Sequence, residues 1–158
     1  MAKAQLKIKT LLGDLYLVAS AQGLQSIFWT KSEIPLLTDP KSAEGKVLNQ
    51  AKIQLQEYLQ GRRKKFDLPL DMQGTEFQKK VWKELLQIPY GKTLSYKQLA
   101  TALGSPQASR AVGTANGKNP LCIVIPCHRV INTDGGLGGY SGGLKIKSQL
   151  LQLEQKGL

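Results

Sequence analysis

Ser95-Tyr96-Lys97-Gln98-Leu99-Ala100-Thr101-Ala102-Leu103-Gly104-Ser105-Pro106-Gln107-Ala108-Ser109-Arg110-Ala111-Val112-Gly113-Thr114-Ala115-Asn116 is the segment from which the fold is read. Ser95 and Gln98 have the spacing of a capping box, in which hydroxyl and amide satisfy free backbone N–H groups, so a short helix is expected through Leu103. Gly104 turns the chain. Ser105 can cap a second helix, and Pro106 fits a first helical position, where its missing N–H costs little. That second helix should run from Gln107 to about Asn116. Two short helices about a tight glycine turn make a helix-turn-helix, although a plain helix pair packed in a core has the same outline. The second helix is poor in large side chains, which makes it a weak core element but lets it approach another surface closely. Arg110 projects alone from it.

On the N-terminal side, Thr75-Glu76-Phe77-Gln78 is another capping box, opening a helix that turns Phe77, Val81, Trp82 and Leu85 inward and ends before Pro89-Tyr90-Gly91. Downstream, the apolar run Leu121 to Ile125 reads as a rigid strand delivering Ile125-Pro126-Cys127-His128-Arg129-Val130, and a glycine-rich loop, Gly135 to Gly143, comes after it. His128 is the only histidine and Cys127 one of two cysteines. A thiol beside an imidazole and a guanidinium gives up its proton easily, because positive charge favours the thiolate. The competing reading is a buried, inert cysteine, since free Cys is among the most buried residue types.

Nearer the N-terminus, Leu6, Ile8, Leu15, Tyr16 and Val18 fall in short runs broken by Gly13-Asp14, and a third run, Leu24 to Thr30, follows Gly23, the pattern of a three-stranded antiparallel meander. Lys31 to Gly45 reads as loop. Leu48, Ala51, Leu55, Tyr58 and Leu59 recur at helical spacing until Gly61, Arg62 to Lys65 form a basic turn, and Phe66 to Leu70 could add a short strand. Nothing in residues 1–72 carries chemistry. Lys plus Arg number 22 against 11 Asp plus Glu, a formal charge of +11, which attracts a polyanion, either nucleic acid or an acidic membrane surface. The 41% apolar content excludes a disordered chain, and no apolar run reaches the ~20 residues of a membrane span. With two cysteines and one histidine there is neither a disulfide framework nor a zinc spacing, so the expected setting is cytoplasmic, with reduced thiols.

These motifs, with Asn119-Pro120, Gly139-Tyr140-Ser141-Gly142-Gly143 and Leu150-Leu151 with Glu154, resemble the O6-alkylguanine-DNA alkyltransferases in order and spacing across residues 75–155. The resemblance implies an α/β (α+β) chain. Residues 1–72 would be a ribonuclease-H-like scaffold of antiparallel sheet and helix. Residues 73–158 would be a mostly helical, winged helix-turn-helix-like domain carrying DNA binding and chemistry. It implies a suicide methyltransferase, with Cys127 the nucleophile, His128 taking its proton (through a bound water) and Glu154 holding the imidazole. Tyr96 would donate to the leaving guanine, and Asn119 would lock the turn before the nucleophile. The backbone of Ser141 and the carbonyls of Cys127 and Val130 would read the base, with Tyr140 and Gly142 in the pocket wall. Ser109, Ala111, Gly113 and Thr114 would line the minor groove, Arg110 would fill the space of the rotated nucleotide, and Arg129 would be structural or phosphate-directed. The implied partner is duplex DNA carrying O6-alkylguanine, with no membrane and no cofactor. The protein would be a monomer, near the nucleoid in a prokaryote; O4-alkylthymine repair and cooperativity on DNA stay open. Some members hold a structural zinc in the first domain; this chain lacks the ligands, so none is expected.

Three other readings compete. A lesion-binding protein without repair would replace the nucleophile, yet Cys127 is present. A DNA-binding regulator would rest on the helix-turn-helix alone. A cysteine hydrolase needs Cys127 and His128 on one side of the chain, which neighbours on a strand are not unless the chain turns there.

Overall fold

The computed structural model describes residues 2–156, arranged as two compact units divided between Gln73 and Gly74. The outer ends of the two expected domains, Met1 and Gly157–Leu158, lie outside the described residues. In the first unit β1 (Lys3–Thr10), β2 (Gly13–Ser20) and β3 (Gly23–Phe28) form an antiparallel meander in the order β1-β2-β3. Helix α1 (Ala43–Leu59), capped by the Ser42 side chain on Gly45 N, packs its buried Leu48, Ala51, Leu55 and Tyr58 against this sheet. Leu15, Leu17, Ala19 and Leu24 meet it from the strands with no exposed surface.

The Lys31–Gly45 segment is not pure loop. Gln5 N donates to Pro35 O at 2.9 Å and Leu37 N to Gln5 O at 2.8 Å, which adds a single parallel bridge outside β1. Phe66–Leu70 does not become a strand either. Leu24 N donates to Pro69 O at 2.8 Å and Asp71 N returns to Leu24 O at 2.9 Å, but Pro69 has no N–H to continue a ladder. The segment is fastened by a side chain instead: Asp71 accepts from Ser20 Oγ at 2.7 Å and Gln25 Nε2 at 2.8 Å, which holds its carboxyl below the usual value.

The second unit contains α2 (Glu76–Leu85), α3 (Tyr96–Ala102), α4 (Ser109–Gly117) and α5 (Leu144–Lys156). Both capping boxes form, Thr75 with Gln78 and Ser95 with Gln98. Trp82 has 1% of its surface exposed and donates its indole N–H to Ala115 O at 2.9 Å, tying α2 to α4. Phe77, expected inward, is 41% exposed, because it sits in the first turn of α2 ahead of the buried Val81, Trp82 and Leu85. Gly104 turns the chain at φ +77°, as a helix-turn-helix requires. Ser105 and Pro106 do not cap α4, however. Ala108 N closes a turn on Ser105 O at 2.9 Å, so the helix starts two residues later than expected, with no side-chain cap. A two-residue parallel pair, β4 (Leu94–Ser95) with β5 (Val130–Ile131), was invisible in the sequence and sets the start of α3 beside the Cys127 segment. Among the described residues no helix is long and apolar enough to cross a membrane.

Candidate active site

The apolar run ahead of Cys127 is not the strand its composition indicated. Ile125 N donates back to Leu121 O at 2.8 Å, a bridge joins Cys122 to Ile125, and Ile123 takes φ +77°. A β-branched residue in the left-handed region is strained and persists only where its surroundings fix it. Asn119 supplies much of that fixing. Its Nδ2 donates to Ile125 O at 2.8 Å and its Oδ1 accepts from Leu121 N at 2.9 Å, both buried. Residues Cys127–Arg129 then form one turn of 3-10 helix, with Val130 N closing on the Cys127 carbonyl. Cys127 and His128 therefore lie on a turn, so the alternation of a strand does not separate them.

Cys127 is 4% exposed and His128 fully buried. His128 Nε2 lies 2.7 Å from Glu154 Oε2 of α5, and Glu154 Oε1 accepts from Gly91 N at 3.1 Å. Gly91 sits at φ +81°, where a side chain would be strained. Burial pushes the Cys127 thiol up to about 11, while a hydrogen bond from Asn119 and the charge of Lys147 act in the opposite direction. Burial lowers His128 from the usual imidazole value, and Glu154 opposes that shift. The resting pair is thus a neutral thiol and a neutral imidazole anchored by a carboxylate, an arrangement able to move a proton off sulfur when a reaction draws on it.

A cleft of about 510 Å³ lies in the same unit, a size that suits a small organic ligand. Tyr96, Ser109, Arg110, Gly113, Thr114, Tyr140 and Ser141 line it, joined by Asn116, Gly117, Asn132 and Gly139. Helix α4 forms one wall and the glycine loop another. Burial raises the Tyr96 phenol above its usual value, and a backbone hydrogen bond from Gly139 opposes that shift. The loop approaches so closely that a Cβ on Gly138 would fall 2.9 Å from Tyr96 Oη, at φ +72°. Cys127, Val130, Ala111 and Gly142 are not on the lining. The Val130 carbonyl, expected to accept from a base, already accepts from Lys147 Nζ at 2.6 Å. Among the described residues no cluster of His, Cys, Asp or Glu could hold a metal ion.

The model of the 6-O-methylguanine DNA methyltransferase DNA binding domain matches residues 76–156, and that of the ribonuclease-like domain of the same proteins matches residues 6–72. The chain belongs to this family. A methylated-DNA–protein-cysteine methyltransferase of Methanosarcina barkeri is 44% identical over 96% of both chains. The constitutive one of Bacillus subtilis is 43% identical over 93% of this chain and 92% of its own. Among solved structures, the O6-methylguanine methyltransferase of Mycobacterium tuberculosis superposes with a TM-score of 0.86 at 39% identity, over 99% of this chain and 94% of that one. The Mycobacterium tuberculosis OGT in complex with DNA does so at 0.84 and 38%, with the same coverage.

Within this methyltransferase-family framework Arg129 takes the structural one of its two expected places, and a second buried cation joins it. Arg129 is not available to a phosphate: it is 7% exposed, and its guanidinium is spent on Glu154 and on the Ile88 carbonyl. Lys147 was missed altogether. Its buried ammonium donates to the carbonyls of Val130, Leu137 and Gly139, pinning the glycine loop to β5 and α5. The available signal was weak. Lys147 stands one turn before Leu150-Leu151 on the apolar side of α5, where a lysine ordinarily reaches out to water.

Proposed function

We propose that this protein repairs O6-alkylguanine in duplex DNA by transferring the alkyl group to its own Cys127, once per molecule. The observation that carries this reading is the buried pair of Glu154 with His128, which lies on the turn that holds Cys127, with the Tyr96-lined cleft in the same unit. In the reaction the proton of Cys127 passes to His128, and sulfur attacks the alkyl carbon in line. The S–C bond forms as the C–O6 bond breaks, and the departing guanine anion takes a proton from Tyr96, with the Ser141 backbone N–H directed at O6. The thioether formed on Cys127 is stable and no step here returns it to a thiol, so the reaction ends there.

Reaching O6 requires the nucleotide to leave the base stack, at a cost of a few kcal/mol. Helix α4, with Ser109, Ala111, Gly113 and Thr114, enters the minor groove in this reading, and Arg110, exposed on α4, occupies the vacated position. One monomer acts on one lesion. The test is to weigh the intact protein after mixing it with a duplex containing O6-methylguanine. A gain of one methyl mass, absent in Cys127→Ala, is the expected result; several lesions repaired per molecule would refute the once-only mechanism.

A further inference from the structure

Glu154 accepts four hydrogen bonds. Oε1 takes Arg129 Nε at 2.8 Å and Gly91 N at 3.1 Å, and Oε2 takes Arg129 Nη2 at 2.9 Å and faces His128 Nε2 at 2.7 Å. The remaining arm of the guanidinium, Nη1, donates to Ile88 O at 2.7 Å, and its Cζ lies over the Tyr90 ring, 5.7 Å from the centroid. Two arms of a planar fork on one carboxylate fix both distance and plane, which a lysine cannot do. A carboxylate engaged by guanidinium and backbone N–H groups is ionised and only accepts. His128 must therefore present a proton at Nε2, which leaves the lone pair of the neutral ring on Nδ1.

We propose that Arg129 is a positioning residue for alkyl transfer: it clamps Glu154 by both oxygens and thereby reserves His128 Nδ1 as the atom that receives the Cys127 proton. This rests on the repair reading of Cys127. Were Glu154 paired with His128 alone, an uncompensated carboxylate in a dry site would draw a second proton onto the imidazole and fill its base position. Arg129 supplies the compensating charge. The charged groups acting on His128 are Glu154 and Lys147 from α5 and Arg129 from its own turn, while Tyr90, from the segment after α2, faces Glu154 and Arg129. Burial is the chief influence lowering His128, Glu154 opposes it, and the charges of Arg129 and Lys147 reinforce it.

His128 is the only histidine, so ¹⁵N NMR of the whole protein reports one imidazole. In the parent at pH 7 the ring should be neutral, with its proton on Nε2; an imidazolium at that pH overturns the proposal, and this measurement needs no variant to fold. In Arg129→Met the titration of His128, and the acid limb of the single-turnover rate, should move up by about one pH unit. Arg129→Lys keeps the charge without the fork, so it should return the limb to the parent position and lower only the plateau rate. A limb unmoved in Arg129→Met, with the same loss at every pH, would reduce Arg129 to a structural part. A parent that transfers no alkyl group would instead sink the repair reading, and this inference with it.

Discussion

Cys127 is 4% exposed, and its neighbourhood, rather than its identity, decides whether it reacts. Burial pushes the thiol up to about 11, so positive charge nearby in sequence is not what activates it. Arg129, which looked like such a charge, faces Glu154. In the proposed mechanism activation comes from proton transfer to His128, which makes two outcomes testable. Glu154→Gln keeps the side chain's shape but loses the anion, and should slow transfer near pH 7 by about 100-fold, in the range for loss of a general-base function, while DNA affinity is unchanged. The second outcome concerns stability. His128 is held below its unfolded value of 6.5, so as pH falls the unfolded chain takes up the proton first. Its contribution is intact above that value and is lost as pH falls from there toward the folded value. Thermal melts should show Tm declining from pH 7 to pH 5, and a flatter profile in His128→Gln. Cys127, His128, Glu154 and Asn119 were legible only through the resemblance, and the structure brings His128 to 2.7 Å from Glu154 and sets Asn119 on the turn before Cys127. The inward orientation of Arg129 was not, because the Ile88 carbonyl and Glu154 are supplied by segments 41 and 25 residues away.

Among the helices and strands, those with sequence-encoded caps were readable and short pairings were not. Thr75 and Ser95 announce α2 and α3 through local chemistry. The β4–β5 pair is two residues long on each side and has no period to detect, and the turn at Leu121–Ile125 imitates a strand because every residue in it is apolar. Phe66–Leu70 failed for the opposite reason: its composition suits a strand, but Pro69 interrupts the donors. The glycine loop owes its position to one side chain. Lys147→Met fills a similar volume but leaves the carbonyls of Val130, Leu137 and Gly139 without their common donor, at a cost of about 3 kcal/mol. Urea unfolding should report that loss, and amide exchange should quicken across Gly135–Gly143 while the first unit stays protected. Retained protection in the loop would mean that packing, not the ammonium, holds it.

Charge belongs to the chain in its entirety, and its distribution bears on how DNA is held. Residues 74–158 contain 11 of the 22 basic side chains but only 4 of the 11 acidic ones. Two of those bases, Arg129 and Lys147, and one of the acids, Glu154, are buried and satisfied internally, so they add nothing to a phosphate-binding surface. The exposed remainder is still strongly basic, and Arg110 is the one exposed base on α4. Attraction of this kind works by releasing counterions from DNA and carries no sequence preference. If about five phosphates are contacted, affinity for undamaged duplex should fall by roughly 500-fold between 50 and 200 mM salt. Arg110→Ala should change that slope by at most about one phosphate equivalent, since its proposed place is inside the duplex. The reaction with free O6-benzylguanine base involves no phosphate, and its rate should be insensitive to the same salt range. Comparing the two substrates in the parent and in Arg110→Ala therefore separates attraction from extrusion. A variant that loses repair of duplex but keeps both the parent salt slope and the free-base rate has lost only the step that takes the nucleotide out of the helix.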